Sequence, residues 1–136
     1  MNYLYAGLLV AAVITGPAIA QQTIRDMSEG QSLFRTYCAS CHGARADGTG
    51  PMVGALAGEP ADLTRLTADN DGIFPLVRVI RQIDGRDPLV AHGSPMPVFG
   101  GFFEGRDVAL KTHSGQPIMT SMPVAELVGW LETMQR

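Results

Sequence analysis

The chain has 136 residues, with 10 basic against 13 acidic side chains and a formal net charge of −3. This length predicts one small domain with a thin core. The negative balance argues against nucleic acid as a partner, because nucleic-acid-binding proteins carry a basic patch or stripe. The basic residues are spread singly along the chain, so no membrane-binding cluster stands out.

The first twenty residues predict a secretory signal. Leu4 to Ile14 form an apolar run with the length of a signal h-region, well short of the roughly twenty residues that span a bilayer. Ala18-Ile19-Ala20 then has the small-x-small form of a cleavage site, although the n-region lacks Lys and Arg. An N-terminal core helix or a retained anchor are the alternatives. We expect export to the periplasm, with residues 1–20 as the signal and residues 21–136 as the domain.

The stretch YCASCHG, residues 37–43, contains both cysteines of the chain, Cys38 and Cys41. A disulfide across so short a loop would add little stability through chain entropy. A thioredoxin-like dithiol needs a preceding strand, and no strand-like run precedes Cys38. Structural zinc needs four ligands, and neither His92 nor His113 has the spacing to complete such a set.

Covalent attachment of haem c is the remaining interpretation of this motif, which has the C-x-x-C-H pattern. Residues three apart on a helical turn face the same way, so both thiols can bond to vinyl groups on one edge of a porphyrin. His42 follows directly, and one of its ring nitrogens can then bind the iron. The predicted export signal supports the same interpretation independently. The sequence therefore predicts one covalently attached haem c per chain.

Two further segments carry signals for helices and their packing. In ELVGWLETM, Leu127, Trp130 and Leu131 fall at i, i+3 and i+4, on one helix face. Ahead of the cysteine motif, Gly30 has no side chain, so another backbone could approach it closely. Phe34 follows one turn later as a core residue.

These segments, GQSLFRTYCASCHG and ELVGWLETM, resemble the N-terminal and C-terminal helices of the class I monohaem cytochromes c of bacteria. The resemblance covers nearly all of residues 21–136. It implies an all-α cytochrome c fold, in which the two terminal helices cross and the chain wraps around one haem. Gly30 and Phe34 stand at the positions that cross the last helix in that family.

The stretch GSPMPVFG, residues 93–100, resembles the methionine loop of the same family. The resemblance implies that Met96 binds the iron on the face opposite His42. Pro97 also holds Met96 in an extended conformation, which suits a thioether that projects from a loop.

Met122 competes with Met96, because it too precedes a proline. However, Pro123 has the position of a first-turn proline in the last helix, which makes Met122 a residue at the start of that helix. His92, or a vacant sixth position, is the remaining alternative.

One residue is expected to orient the histidine ligand. A metal-bound imidazole usually donates its other N–H to a carbonyl or carboxylate. In the family, a proline in the loop after the haem motif supplies the carbonyl, and Pro51, nine residues beyond His42, matches best. Pro60 is the alternative, and Pro51 could also serve only to shape a glycine-rich turn.

Between the two ligand loops, residues 71–85 predict a helix. Asp71 lies in the expected N-cap region, Pro75 in the first turn, and Gly85 at the stop. No β-strand pattern persists anywhere in the chain.

Residues 101–119 exceed what a minimal cytochrome needs between its methionine loop and last helix. Phe102 and Phe103 in this extension are expected to pack in the core, with packing over the haem edge or a docking patch as the alternatives.

The resulting functional prediction is a periplasmic electron carrier rather than an enzyme. With both axial positions filled, the iron would change only by one electron, and protein redox partners would dock transiently at the haem edge. The first alternative is a haem c subunit of a larger periplasmic or membrane-associated oxidoreductase. The second is a five-coordinate haem enzyme or gas sensor, which requires that Met96 does not bind the iron.

Overall fold

The computed structural model describes the backbone of residues 18–86 and 96–136, and the side chains of residues 28–86 and 96–136. Most of the predicted signal, His92 and residues 93–95 of the predicted methionine loop lie outside these ranges. The described helices are α1 (Ala18–Tyr37), α2 (Ala39–His42), α3 (Leu76–Asp84) and α4 (Met122–Thr133), with 3₁₀ turns at Val53–Ala55, Leu63–Arg65 and Ala68–Asn70. Two strands, β1 (Asp107–Lys111) and β2 (Pro117–Ser121), complete the described elements.

Helices α1 and α4 cross and form the centre of the core, as the sequence predicts. The Phe34 and Trp130 ring centroids lie 4.6 Å apart at an interplanar angle of 38°. Leu127 and Leu131 of α4 are buried in the same cluster. Burial of each large apolar side chain contributes roughly 1.5–3 kcal/mol, so this crossing is a main source of stability.

Gly30 is the point of closest approach between the two helices. A Cβ atom at this position would collide with the backbone carbonyl of Glu126 and approach the Trp130 Cβ to 2.9 Å. The predicted close approach of another backbone is therefore confirmed, and the crossing depends on the absence of a side chain.

A Gly30→Ala variant is expected to lose about 1–3 kcal/mol of unfolding free energy, because the added methyl group overpacks the crossing. Gly129→Ala in α4 is the matched control, since a Cβ built there has no described atom within 4 Å apart from its chain neighbours and the adjacent backbone of its own helix. That change should stabilise the protein by about 0.5–1 kcal/mol through lower backbone entropy in the unfolded state. Denaturant titration of both variants measures the difference, and equal midpoints for Gly30→Ala and its parent would contradict the prediction.

Helix α3 occupies most of the segment predicted as helical, but it starts later than expected. Asp71 is not its N-cap: it adopts a left-handed conformation (φ 55°) and ends the preceding 3₁₀ turn. The helix begins at Leu76, directly after Pro75, whose fixed φ suits a helix start. It ends at Gly85, as predicted, where a left-handed φ of 78° lets the Gly85 N–H donate to the Arg81 carbonyl.

The all-α expectation needs a correction in the segment after residue 101. β1 and β2 pair as an antiparallel hairpin, with Asp107 opposite Ser121 and Lys111 opposite Pro117. Half-buried and exposed positions alternate along β1, so Val108 and Leu110 face the protein while their neighbours face solvent. The extension predicted beyond a minimal cytochrome is therefore a hairpin that leads into α4.

An aromatic cluster joins residues 99–103 to the end of α1. Phe99 stacks on Phe103 with centroids 5.4 Å apart, and Tyr37 meets Phe103 edge-on at 5.3 Å. The Phe99 N–H donates to the Ile83 carbonyl, which ties this segment to α3. Phe103 is buried, as the core interpretation predicts, whereas Phe102 is 75% exposed and does not follow it.

Candidate haem-binding site

Cys38, Cys41 and His42 lie on one helical turn, with Cys38 between α1 and α2 and the other two residues in α2. The Cys38 N–H donates to the Phe34 carbonyl at 2.9 Å, which continues the hydrogen bonding of α1. The N–H groups of Cys41 and His42 both donate to the Cys38 carbonyl, at 3.1 and 2.9 Å. The helical turn inferred from the spacing of the two cysteines is therefore present.

The two cysteines lie in different surroundings. Cys38 is buried and Cys41 is partly exposed. Burial, and secondarily the neighbouring Cys41, raises the pKa of the Cys38 thiol to about 11. Thiol–disulfide exchange needs a thiolate, which this environment disfavours at Cys38. In the described part of the chain, no cluster of three or more His, Cys, Asp or Glu side chains is arranged to hold a metal ion.

The His42 ring is oriented by a backbone carbonyl. Its Nδ1 lies 3.0 Å from the Ala61 carbonyl oxygen. Because a carbonyl oxygen can only accept, this hydrogen bond requires the proton on Nδ1, which leaves the Nε2 lone pair of the neutral ring to bind a metal. The site thus presents an imidazole in the tautomer that an iron ligand needs.

The carbonyl that meets His42 differs from the predicted one. Pro51 is exposed and lies in a turn that folds back on α2, where the Met52 N–H donates to the Ser40 carbonyl. Ala61 takes the expected role, one residue beyond the alternative Pro60. Chemistry predicts that a backbone carbonyl accepts the hydrogen bond from His42. Which residue supplies that carbonyl depends on how the loop returns to the ring.

The loop that carries Ala61 is fixed against the loop that follows the haem motif. The Gly48 N–H donates to the His42 carbonyl, and the Leu63 N–H donates to the Ala46 carbonyl, both at 2.8 Å. A Cβ at Gly48 would lie 2.7 Å from the Pro60 carbonyl oxygen. The first bond shapes the loop after the motif, and the second bond and the close backbone approach bring the loop of Ala61 beside the His42 ring.

Gln135, which follows α4, ties that second loop to the last helix. Its Oε1 accepts from the Thr67 N–H at 2.9 Å. Its Nε2 donates to the carbonyls of Leu63 and Leu131, both at 2.8 Å. One partly buried amide thus joins the loop to the end of α4. Sequence reasoning missed this residue, because a single glutamine near the end of a helix carries no distinguishing pattern.

Arg136 adds two contacts to the same loop. Its N–H donates to the Thr64 carbonyl at 3.0 Å, and its guanidinium lies 2.9 Å from Asp62 Oδ2. Hydrogen bonds from Thr64, and then from Arg136, hold the pKa of the Asp62 carboxyl below its ordinary value. Asp62 is therefore charged at neutral pH, and its carboxylate accepts hydrogen bonds from both Thr64 and Arg136.

The two candidate methionines occupy different local structures. Met96 is half-buried, lies outside any helix and packs against the hydrophobic core. Met122 is the first residue of α4, followed by Pro123 in the first turn, and its N–H donates to the Arg106 carbonyl. The prediction that Met122 starts the last helix is confirmed. His113 lies exposed in the hairpin turn, as a surface-loop residue should.

Two thiols lie on one helical turn, and an imidazole whose Nδ1 is hydrogen-bonded to a carbonyl follows them. This arrangement is typical of a c-type cytochrome. A family model described as cytochrome c oxidase, cbb3-type, subunit III, matches residues 25–110, and the chain belongs to this family. The match contains the cysteine motif, α3 and Met96. No curated protein and no solved structure matches the chain significantly.

Family membership assigns this domain to haem-based electron transfer and implies haem c as its cofactor. The donor set of the structure fits that group, because it supplies paired thiols and a histidine in the required tautomer. None of the described helices has both the length and the hydropathy required to cross a membrane.

Proposed function

We propose that this protein transfers single electrons in the periplasm through one haem c, bonded to Cys38 and Cys41, with His42 and Met96 as axial ligands. The observation that carries the proposal is the His42 Nδ1–Ala61 hydrogen bond on the same turn as the two thiols. This bond leaves Nε2 to bind the iron and holds the ring in one orientation.

In this proposal, different residues attach the haem, bind its iron and orient the histidine ligand. The two thiols keep the cofactor on the chain in an open compartment, and the Ala61 carbonyl fixes the imidazole. Met96 is the proposed second ligand of the iron. It is half-buried outside any helix and precedes Pro97, which favours an extended backbone at Met96. Bound in this way, haem c supplies a reversible one-electron couple, and His/Met ligation favours a relatively high potential.

Export rests on the sequence of residues 1–20, with cleavage near Ala20. Periplasmic haem attachment and a mature chain that begins near Gln21 are the expected consequences. N-terminal sequencing of the protein recovered from the periplasm would detect both.

Carbon monoxide binding tests whether the iron is six-coordinate. The reduced protein should bind carbon monoxide slowly or not at all at moderate concentration, because a protein ligand occupies the sixth position. Absorption spectra of the reduced protein, before and after addition of the gas, give the measurement. Rapid and complete binding would overturn the carrier proposal and favour the five-coordinate enzyme or gas sensor.

A permanent place in an oxidoreductase complex is the second candidate function. The matched family is described as an oxidase subunit, and the exposed Phe102 ring lies beside Phe99 at a centroid distance of 6.3 Å. A complex would keep the chain in a particle much larger than its 14.5 kDa in a mild detergent extract, together with other redox subunits. A shuttling carrier would instead elute alone.

A further inference from the structure

We propose that Gln135 and Arg136 position the histidine ligand of the iron, by bracing the loop whose Ala61 carbonyl holds His42. We call the contacts of these two residues with residues 62–67 the brace. The inference rests on the proposed function, since it assumes that His42 binds the iron.

Gln135 is the centre of the brace, because its amide bonds in three directions. Leu63 is the first residue of the 3₁₀ turn Leu63–Arg65, Thr67 follows that turn, and both bond to this amide. The third bond, to the Leu131 carbonyl, anchors the side chain on α4. Since α4 is packed in the core through Trp130 and Leu131, the amide links the loop to a rigid part of the protein.

The residues that the brace holds lie next to Ala61 in the chain and therefore restrict its movement. Asp62 follows Ala61 directly and is bonded by Thr64 and by Arg136. Leu63, the next residue, donates its N–H to the Ala46 carbonyl and accepts from Gln135 with its own carbonyl. Only one or two residues therefore separate the His42 hydrogen bond from the brace.

The electronic consequence follows from the direction of the His42 hydrogen bond. A carbonyl that accepts from Nδ1 raises the basicity of a metal-bound imidazole. A more basic ligand favours ferric over ferrous iron, which lowers the reduction potential. Loosening the brace should therefore weaken the hydrogen bond and raise the potential.

The test compares Gln135→Ala with Thr133→Ala in the haem-loaded protein. Thr133 is the matched control, because its hydroxyl donates to the Trp130 carbonyl in the last turn of α4 and has no bond to residues 62–67 among the described contacts. Gln135→Ala should shift the ferrous-to-ferric ratio about threefold toward ferrous, which is roughly 30 mV by the one-electron relation. Thr133→Ala should keep the parent potential even where it lowers stability.

A second readout follows the hydrogen bond itself. In the reduced protein, NMR should show faster solvent exchange of the His42 Nδ1 proton and of the Leu63 and Thr67 amide protons in Gln135→Ala only. Gln135→Glu keeps the acceptor for Thr67 but loses both donors, so its Thr67 amide proton should exchange more slowly than that of Gln135→Ala. Arg136→Ala removes the exposed ion pair with Asp62 and should speed the exchange of the same protons to a smaller extent.

Two results would overturn the inference in distinguishable ways. If Thr67 exchanges faster in Gln135→Ala while the His42 ring proton and the potential match the parent, the brace does not position the ligand. If the parent itself shows no covalent haem or no reversible one-electron couple, the proposed function fails, and the inference fails with it.

Discussion

A Cys38→Ala, Cys41→Ala double variant will contain no haem that survives denaturation, whereas the parent will retain one haem per chain. Thioether bonds to the two sulfurs are covalent and persist when the chain unfolds, while axial ligation of iron is lost with the fold. Haem staining of a denaturing gel and the mass of the intact chain measure the difference.

Controls for this prediction are available within the same turn. Ser40 is exposed between the cysteines, and its hydroxyl lies 3.9 Å from Cys41 Sγ, so Ser40→Ala should leave haem attachment unchanged. Each single cysteine variant should retain at most one thioether bond. A parent chain that carries a Cys38–Cys41 disulfide and no added mass would contradict covalent attachment.

Met96→Ala is expected to open the sixth coordination position of the iron. The reduced variant should bind carbon monoxide rapidly, and the ferric variant should lose the weak long-wavelength absorption band that thioether ligation produces. The potential should fall by on the order of 0.1 V or more, within the roughly 0.8 V range that axial ligands span. Optical titration and potentiometry provide both measurements.

Met122→Ala is the matched control for that experiment, because both methionines are half-buried and followed by a proline. It should keep the absorption band, the potential and the low affinity for carbon monoxide. If Met122→Ala opened the sixth coordination position of the iron while Met96→Ala did not, the assignment of Met96 would be wrong. Met122, at the start of α4, would then be the second axial ligand.

The sequence predicted the central helical packing because its signals are local and strongly spaced. Leu127, Trp130 and Leu131 fall on one helix face, the resemblance to cytochromes c implied that this helix crosses Gly30 and Phe34, and the structure has that crossing. The hairpin was missed because its strands have only five residues each and their alternation is shallow. The Asp71 cap was wrong because an additional 3₁₀ turn precedes α3, and Asp71 ends that turn.

The cysteine motif could be recognised from sequence, whereas the groups that orient its histidine could not. Cys38, Cys41 and His42 are identified by residue type and spacing alone. The Ala61 carbonyl has no such signal, because every residue carries a carbonyl, and tertiary contacts such as the hydrogen bond between Leu63 and Ala46 determine which one reaches the ring. The brace from Gln135 depends in the same way on tertiary structure.

The crossing of α1 and α4 also has a consequence for the order in which this protein is made. Phe34 and Trp130 are 96 residues apart in sequence, so closing that contact costs about 4 kcal/mol of chain entropy and waits for nearly the whole chain. Cys38 and Cys41 emerge early, directly after α1, and stay accessible until the last helix arrives. We therefore expect haem attachment to precede completion of the core, and the attached group to serve as a surface on which the rest of the chain condenses.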